Sequence, residues 1–267
     1  MSTGKRTSAM GVENTPPVPA AELHHAATLA TPSTHDTMIN LRRYTLIRNI
    51  VLVWLSLVLL AAFLLNIPKI NILEHTARNL YFHVPMWFTM MAAVFVSAYH
   101  SFQVLRSGDI VRDIRALQAA RVGAFFGVLG LVTGIVWSKF TWYVGTDVWW
   151  NFDPRQSMVS LQLLIYGAYF VLRGALDDPN KRARIAAVYN LFAATTTPFL
   201  LYVIPRQMDS LHPGAEGNPA FSEITHPIMR LVFYPAIVGF IGMFWVLYTQ
   251  RVRTALIKHR VTHDPEL

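Results

Sequence analysis

Six apolar stretches, each close to the ~20 residues that carry a helix across a bilayer core, dominate this chain. They run Asn49–Ile67, Val84–Leu105, Ala119–Trp137, Ser157–Arg173, Ile185–Ile204 and Ile228–Thr249. Lipid offers the backbone no hydrogen-bonding partner, so such segments satisfy their own N–H and C=O groups as helices. The expected fold is an all-α integral membrane protein with six transmembrane helices. Composition agrees. Of 267 residues, 53% are hydrophobic and 14% charged, against roughly 25% charged in an average soluble domain. That is too little charge to cover a water-facing surface.

The basic residues set the expected topology. The N-terminal tail, the second and fourth loops and the C-terminal tail hold most of the 23 lysines and arginines. The first, third and fifth loops and their flanks hold only Lys69, Arg78, Lys139, Arg155, Arg206 and Arg230. Positive charge accumulates on the cytoplasmic side of short loops. Both termini are therefore expected to be cytoplasmic, and the odd-numbered loops to face outward. The net charge of +8 follows from this topology, and no nucleic-acid partner is expected.

Residues 1–44 read as a disordered cytoplasmic tail, rich in Ala, Thr, Pro and His and lacking a periodic apolar face. No apolar core of the secretory-signal kind lies near Met1. Residues 45–250 form the membrane domain and 251–267 a cytoplasmic C-terminal tail. His24, His25 and His35 are read as incidental to the tail, with metal binding as the alternative.

Cysteine is absent. That excludes disulfides, zinc–thiolate and iron–sulfur sites, covalent haem attachment through CxxCH in this chain, and thiol catalysis. No Walker A pattern is present, so any ATP-driven step belongs to a partner. Gly123, Gly127, Gly130 and Gly134 fall near one face of the third span, where small residues let another helix approach closely. The run Thr195–Thr196–Thr197 is expected to bond back to its own helix.

The three outward loops carry the unusual chemistry. The first ends in Tyr81-Phe82-His83-Val84-Pro85, which places His83 at a helix start if Pro85 lies in the first turn. From position alone, His83 could equally be an interfacial histidine bonded to water or lipid headgroups. The second outward loop packs Trp137, Trp142, Tyr143, Trp149, Trp150 and Phe152 ahead of Asp153-Pro154-Arg155. Interfacial belts of Trp and Tyr are ordinary, but this is more than anchoring needs. Rings beside a fixed guanidinium suit a large planar ligand with carboxylates. The third loop is polar, rich in Gly and Pro, and holds His212, with His226 just before the sixth span. Two imidazoles on opposite sides of a macrocycle are a common way to hold haem iron.

The segments YFHVP, WWNFDPRQS and LHPG, in this order among six spans, resemble the cytochrome c maturation protein C family. These proteins, also called heme exporter protein C, belong to the haem-handling WWD-domain group. The resemblance covers roughly residues 45–250. It implies that non-covalent haem b is displayed on the periplasmic face of the bacterial inner membrane. His83 and His212 would be the iron's axial ligands, with Trp149, Trp150, Phe152, Asp153 and Arg155 from the loop between helices 3 and 4 contributing to the site. Phe152 stands where the motif has a third Trp, keeping a ring but losing the indole N–H. His226 is close enough in sequence to compete with His212. Haem would pass to a membrane-anchored haem chaperone during cytochrome c biogenesis. The implied assembly adds ATP-binding cassette (ABC) transporter subunits and a small single-span subunit.

Two other readings stand beside this one. A cytochrome c haem lyase of the related synthase type would be an enzyme. Six spans and 267 residues fit the smaller, non-enzymatic delivery member. A transport permease whose aromatics only anchor it would need polar groups inside the spans. The sequence shows little beyond His100 near the inner end of the second, and Arg230 at the outer end of the sixth.

Overall fold

A computed structural model of the chain describes residues 34–69, 73–210, 212, 224 and 226–263. The tail residues His24 and His25, and Leu211, Pro213 and Gly214 of the third loop, lie outside the described residues, as does the side chain of His35. The chain divides into two compact units, Met1–Leu46 and Ile47–Leu267. Of the first, residues 34–46 are helical. The first helix begins in the first unit and ends in the second, and the remaining helices belong to the second.

The helices are α1 (Thr34–Leu64), α2 (Leu80–Ser107), α3 (Ile110–Thr141), α4 (Pro154–Gly174), α5 (Pro179–Pro198) and α6 (Pro227–His263). A tight turn, His75–Asn79, leads into α2, and α5 runs on through a wide turn (Phe199–Val203) and a tight one (Ile204–Gln207). Among the described residues, six segments are long and apolar enough to cross a membrane, from Leu41–Leu64 to Pro227–Thr262. No β-strand occurs among the described residues. The fold is all-helical, as expected.

Helix starts follow local chemistry. Gly108 ends α2 in the left-handed region at φ 69°, where a residue without Cβ is unstrained. Asp109 then caps α3 by accepting the Val111 N–H at 2.7 Å. This cap starts α3 well before the expected Ala119. Asp153 and Asp178 cap α4 and α5 in the same way, each followed by proline at the first helical position. At α2 the expectation needs correction. The helix begins at Leu80, not at Pro85, because the turn His75–Asn79 already hands it a helical backbone. Pro85 therefore sits inside α2, and His83 lies buried in the first turn of that helix.

The glycine stripe of α3 receives α2. A Cβ at Gly123 would lie 3.1 Å from Ala93, and one at Gly127 would lie 2.8 Å from the Met90 sulfur. Side-chain hydrogen bonds lock the other helices on. Asn190 Nδ2 of α5 donates to Ser97 and Ser101 of α2, both at 2.7 Å, and Gln162 of α4 donates to the Ala193 carbonyl at 3.1 Å. The Thr195, Thr196 and Thr197 hydroxyls bond back to their helix as expected.

The membrane segments are more polar inside than the sequence suggested. Asp113 of α3 and Arg173 of α4 are buried together in a two-pronged pair, both bonds 2.6 Å, with the guanidinium over the Tyr169 ring at 5.7 Å. His100 Nε2 lies 2.9 Å from the Tyr248 hydroxyl. These groups are tolerated in an apolar bundle because each has a partner, and partnership is visible only once the helices are packed. Removing one member of a buried ion pair strands the other, at about 3–5 kcal/mol. Asp113→Ala is expected to lower the thermal midpoint of the detergent-solubilised protein sharply. The double change Asp113→Ala/Arg173→Met is expected to recover most of the loss, as read by thermal unfolding of the three proteins.

Candidate functional site

His83 and His212 come together at the end of the bundle where α3 gives way to α4. Their ring centres are 6.4 Å apart, at 39° to each other. His83 projects from α2 and is only 6% exposed. Its Nδ1 lies 3.0 Å from the Thr133 hydroxyl of α3, and its Nε2 accepts the Trp87 indole N–H at 3.1 Å. The ring fits because Gly134 has no side chain, since a Cβ there would stand 2.9 Å from His83 Cε1. Gly130 makes the same room for Trp87, whose ring a Cβ would meet at 2.7 Å. The glycine stripe, which in sequence looked like packing alone, is thus also the seat of the site.

Two tryptophans wall the histidine pair. Trp137 stands 5.5 Å from His83 and 6.5 Å from His212, ring centre to ring centre. Trp142 stacks on His212 at 6.3 Å and 30°. Trp137 is fixed by donating its indole N–H to the Thr76 hydroxyl at 3.0 Å, and Thr76 donates to the Leu73 carbonyl at 2.6 Å. The turn before α2 therefore orients a ring at the end of α3.

Asp153 and Arg155 hold His212 by its backbone. Asp153 Oδ1 caps α4 by accepting the Arg155 N–H at 2.8 Å, and Oδ2 accepts the Ser210 hydroxyl at 2.5 Å. Ser210 Oγ accepts the His212 N–H at 3.1 Å, while Arg155 Nη1 donates to the His212 carbonyl at 3.2 Å. Both peptide groups of the histidine are thereby tied to the first turn of α4. Asp153 orients the loop through the backbone and Ser210. His226 sits exposed at the start of α6, where its Nδ1 accepts the Ile228 N–H at 3.3 Å. The ring beside His83 is that of His212.

The remaining loop aromatics form an outer rim. Trp149 is 51% exposed, with the Lys139 ammonium 5.6 Å above its ring and Phe140 edge-on at 6.4 Å. Trp150 meets Phe152 edge-on at 6.2 Å. Phe152 is 79% exposed and holds φ 55°, a conformation that costs a non-glycine residue about 1–3 kcal/mol. The loop's aromatics therefore divide: Trp137 and Trp142 lie against the histidines, and Trp149, Trp150 and Phe152 form the rim. Beside the Asp153–Ser210 link lies a polar cleft of about 640 Å³, lined by Tyr143, Asn151, Phe152, Arg206 and Asp209 among others.

A model of the heme exporter protein C family matches residues 25–266, nearly the whole chain. The chain belongs to the heme exporter protein C family. It is 27% identical over 186 residues to the heme exporter protein C of Paracoccus denitrificans, covering 70% of this chain and 76% of that one. With the Bradyrhizobium diazoefficiens protein of the same name the identity is 28% over 191 residues, or 70% and 69% of the two chains. With that of Escherichia coli it is 27% over 180 residues, or 67% and 70%.

In this member of the family, sequence reasoning missed Trp87, Thr133 and Ser210. Trp87 could have been found, because it lies one helical turn from His83. Thr133 and Ser210 carry no sequence signal, since their partners are distant in the chain. The glycines supply a test of the site's tightness. Gly134→Ala is expected to cost about 1–3 kcal/mol by overpacking against His83. Gly167→Ala, where a Cβ meets nothing within 4 Å, is expected to stabilise α4 by up to ~1 kcal/mol. Thermal unfolding of the two variants beside the parent protein checks both.

Proposed function

We propose that this protein binds haem b non-covalently at the periplasmic face of the bacterial inner membrane and delivers it, chemically unaltered, to a membrane-anchored haem chaperone during cytochrome c maturation. The observation that carries this reading is the pairing of His83 with His212 at 6.4 Å between ring centres. Two imidazoles sharing one metal ion, each nitrogen about 2 Å from it, have their ring centres roughly 6 Å apart. Family membership supports haem as the cargo, and the absence of cysteine agrees with non-covalent binding.

The residues then take distinct parts. His83 and His212 would supply nitrogens to the haem iron, and Thr133 would steady the first from behind, as outer-shell partners of metal-bound histidines do. Trp137 and Trp142 provide stacking surface. Asp153 holds His212 through Ser210, and Arg155 does so directly while setting a cationic charge at the rim suited to a haem carboxylate. Trp149, Trp150 and Phe152 face the side from which a chaperone must approach. The ABC-transporter subunits and the small single-span subunit supply the ATP-driven work, for which this chain has no Walker A motif.

The periplasmic placement accords with a pattern in the charges. Arg78, Lys139, Arg155, Arg206 and Arg230, five of the six basic residues on this side, donate to backbone carbonyls. They serve as local ties within the fold, leaving the topological signal to the basic residues of the opposite side.

Haem supplied to the purified protein is expected to give a Soret band, and acid–acetone is expected to extract all the pigment. His83→Ala and His212→Ala should each shift the spectrum, and the double variant should lose haem. A colourless protein in excess haem would overturn the reading. Asp153→Ala removes an N-cap worth about 1 kcal/mol and the tie to His212. Together with Trp149→Ala it should leave haem bound while stopping its transfer. Haem content and chaperone haemylation measured side by side in each variant check this, and normal haemylation in both would reduce the rim to membrane anchoring.

A further inference from the structure

The lone pair on His83 Nε2 is already taken. A ring nitrogen that accepts an N–H, as Nε2 accepts that of Trp87 at 3.1 Å, is unprotonated, so the neutral imidazole carries its hydrogen on Nδ1. Nδ1 faces the Thr133 hydroxyl at 3.0 Å, and the hydroxyl's own hydrogen points to the α3 carbonyls of Leu129 (2.9 Å) and Gly130 (3.0 Å). Thr133 therefore accepts from Nδ1–H. One tautomer is fixed, and its single free nitrogen is the one that Trp87 holds. The indole is placed for this role, since its ring lies in the space that Gly130 leaves open and meets His83 edge-on at 5.7 Å and 82°.

We propose that Trp87 is a latch on the ligand nitrogen: its indole N–H pairs with His83 Nε2 and must release it before iron can bind there. This inference rests on the reading of His83 as an iron ligand. The bond has two consequences. Breaking it subtracts from the affinity for haem by the net worth of a hydrogen bond. Re-forming it when haem leaves gives a buried acceptor a partner where it would otherwise be stranded. A carrier that must surrender its cargo gains on both counts, because the haem-free state of the site is itself satisfied. Thr133 acts in the opposite sense, as a positioning residue that keeps Nε2 free of hydrogen and competent to ligate.

The latch is tested on the full-length protein in nanodiscs. Two changes remove the donor: Trp87→Phe, and replacement of Trp87 by benzothienylalanine, which keeps the bicycle and carries sulfur in place of N–H. Haemin titration followed at the Soret band is expected to give about five-fold tighter binding in both. Haem loss to apomyoglobin should slow by a similar factor. Thr133→Val is expected to weaken binding. The opposite signs separate a latch from loosened packing, which would lower affinity in all three. In the haem-free protein, ¹⁵N resonances of His83 should report the Nδ1–H tautomer, with the Nε2 signal shifting when the indole N–H is removed. Equal or weaker haem binding in both Trp87 variants overturns the latch, as does an Nε2–H tautomer in the parent protein. If the parent protein binds no haem at all, the haem reading fails, and the ¹⁵N measurement still decides whether Trp87 holds His83.

Discussion

Helices α2 and α3 meet along a stripe of four glycines, and the site exists because they meet so closely. In lipid there is little hydrophobic force between helices, so association depends on van der Waals contact and interhelical hydrogen bonds, both of which need short separations. Gly123 and Gly127 admit Ala93 and Met90, which is packing alone. Gly130 and Gly134 admit Trp87 and His83, which is packing put to a chemical use. The same contact brings the Thr133 hydroxyl within 3.0 Å of His83. A larger residue at either of the last two glycines would move the rings and the hydrogen bonds together.

The second histidine is held in a different way. His83 is positioned by a rigid helix, whereas His212 belongs to an irregular segment and is held by its backbone. The ties run from the capped N-terminus of α4 through Asp153, Ser210 and Arg155. Residues that read in sequence as part of a ligand-binding surface thus act partly as scaffold. A loop-borne histidine needs such fixing, because a ligand group left free loses its orientation and with it much of its affinity. The contrast also gives the site a firm side within the bundle and a side that faces the rim.

Several polar side chains set deep in the rest of the bundle are paired across helices. Asp113 meets Arg173, Asn190 meets two serines, and Gln162 meets a backbone carbonyl. Such pairs resist exchange for alternative packings, since a shifted helix would leave polar groups unmatched in an apolar medium. They account for the polarity of helices that hydropathy alone describes as greasy.

The number and type of the spanning elements were legible in the amino-acid pattern, because segment length against bilayer thickness and the lack of water for the backbone favour helices. His83, His212 and the tryptophan-rich loop were legible because residues of that kind are rare in combination, whereas the Asp153 cap that starts α4 ahead of the expected Ser157 was not. Helix packing set which of them meet. It brought Trp137 and Trp142 to the histidines and left Trp149, Trp150 and Phe152 on the rim. It started α2 at Leu80 and buried His83, although Pro85 pointed to a later start. It also supplied Trp87, Thr133 and Ser210 as partners. The reason is physical: period and composition fix how a segment satisfies its own backbone. Which side chain fills the gap left by a glycine, or accepts a hydrogen bond from a distant loop, depends on the approach of two helices, which no local pattern encodes.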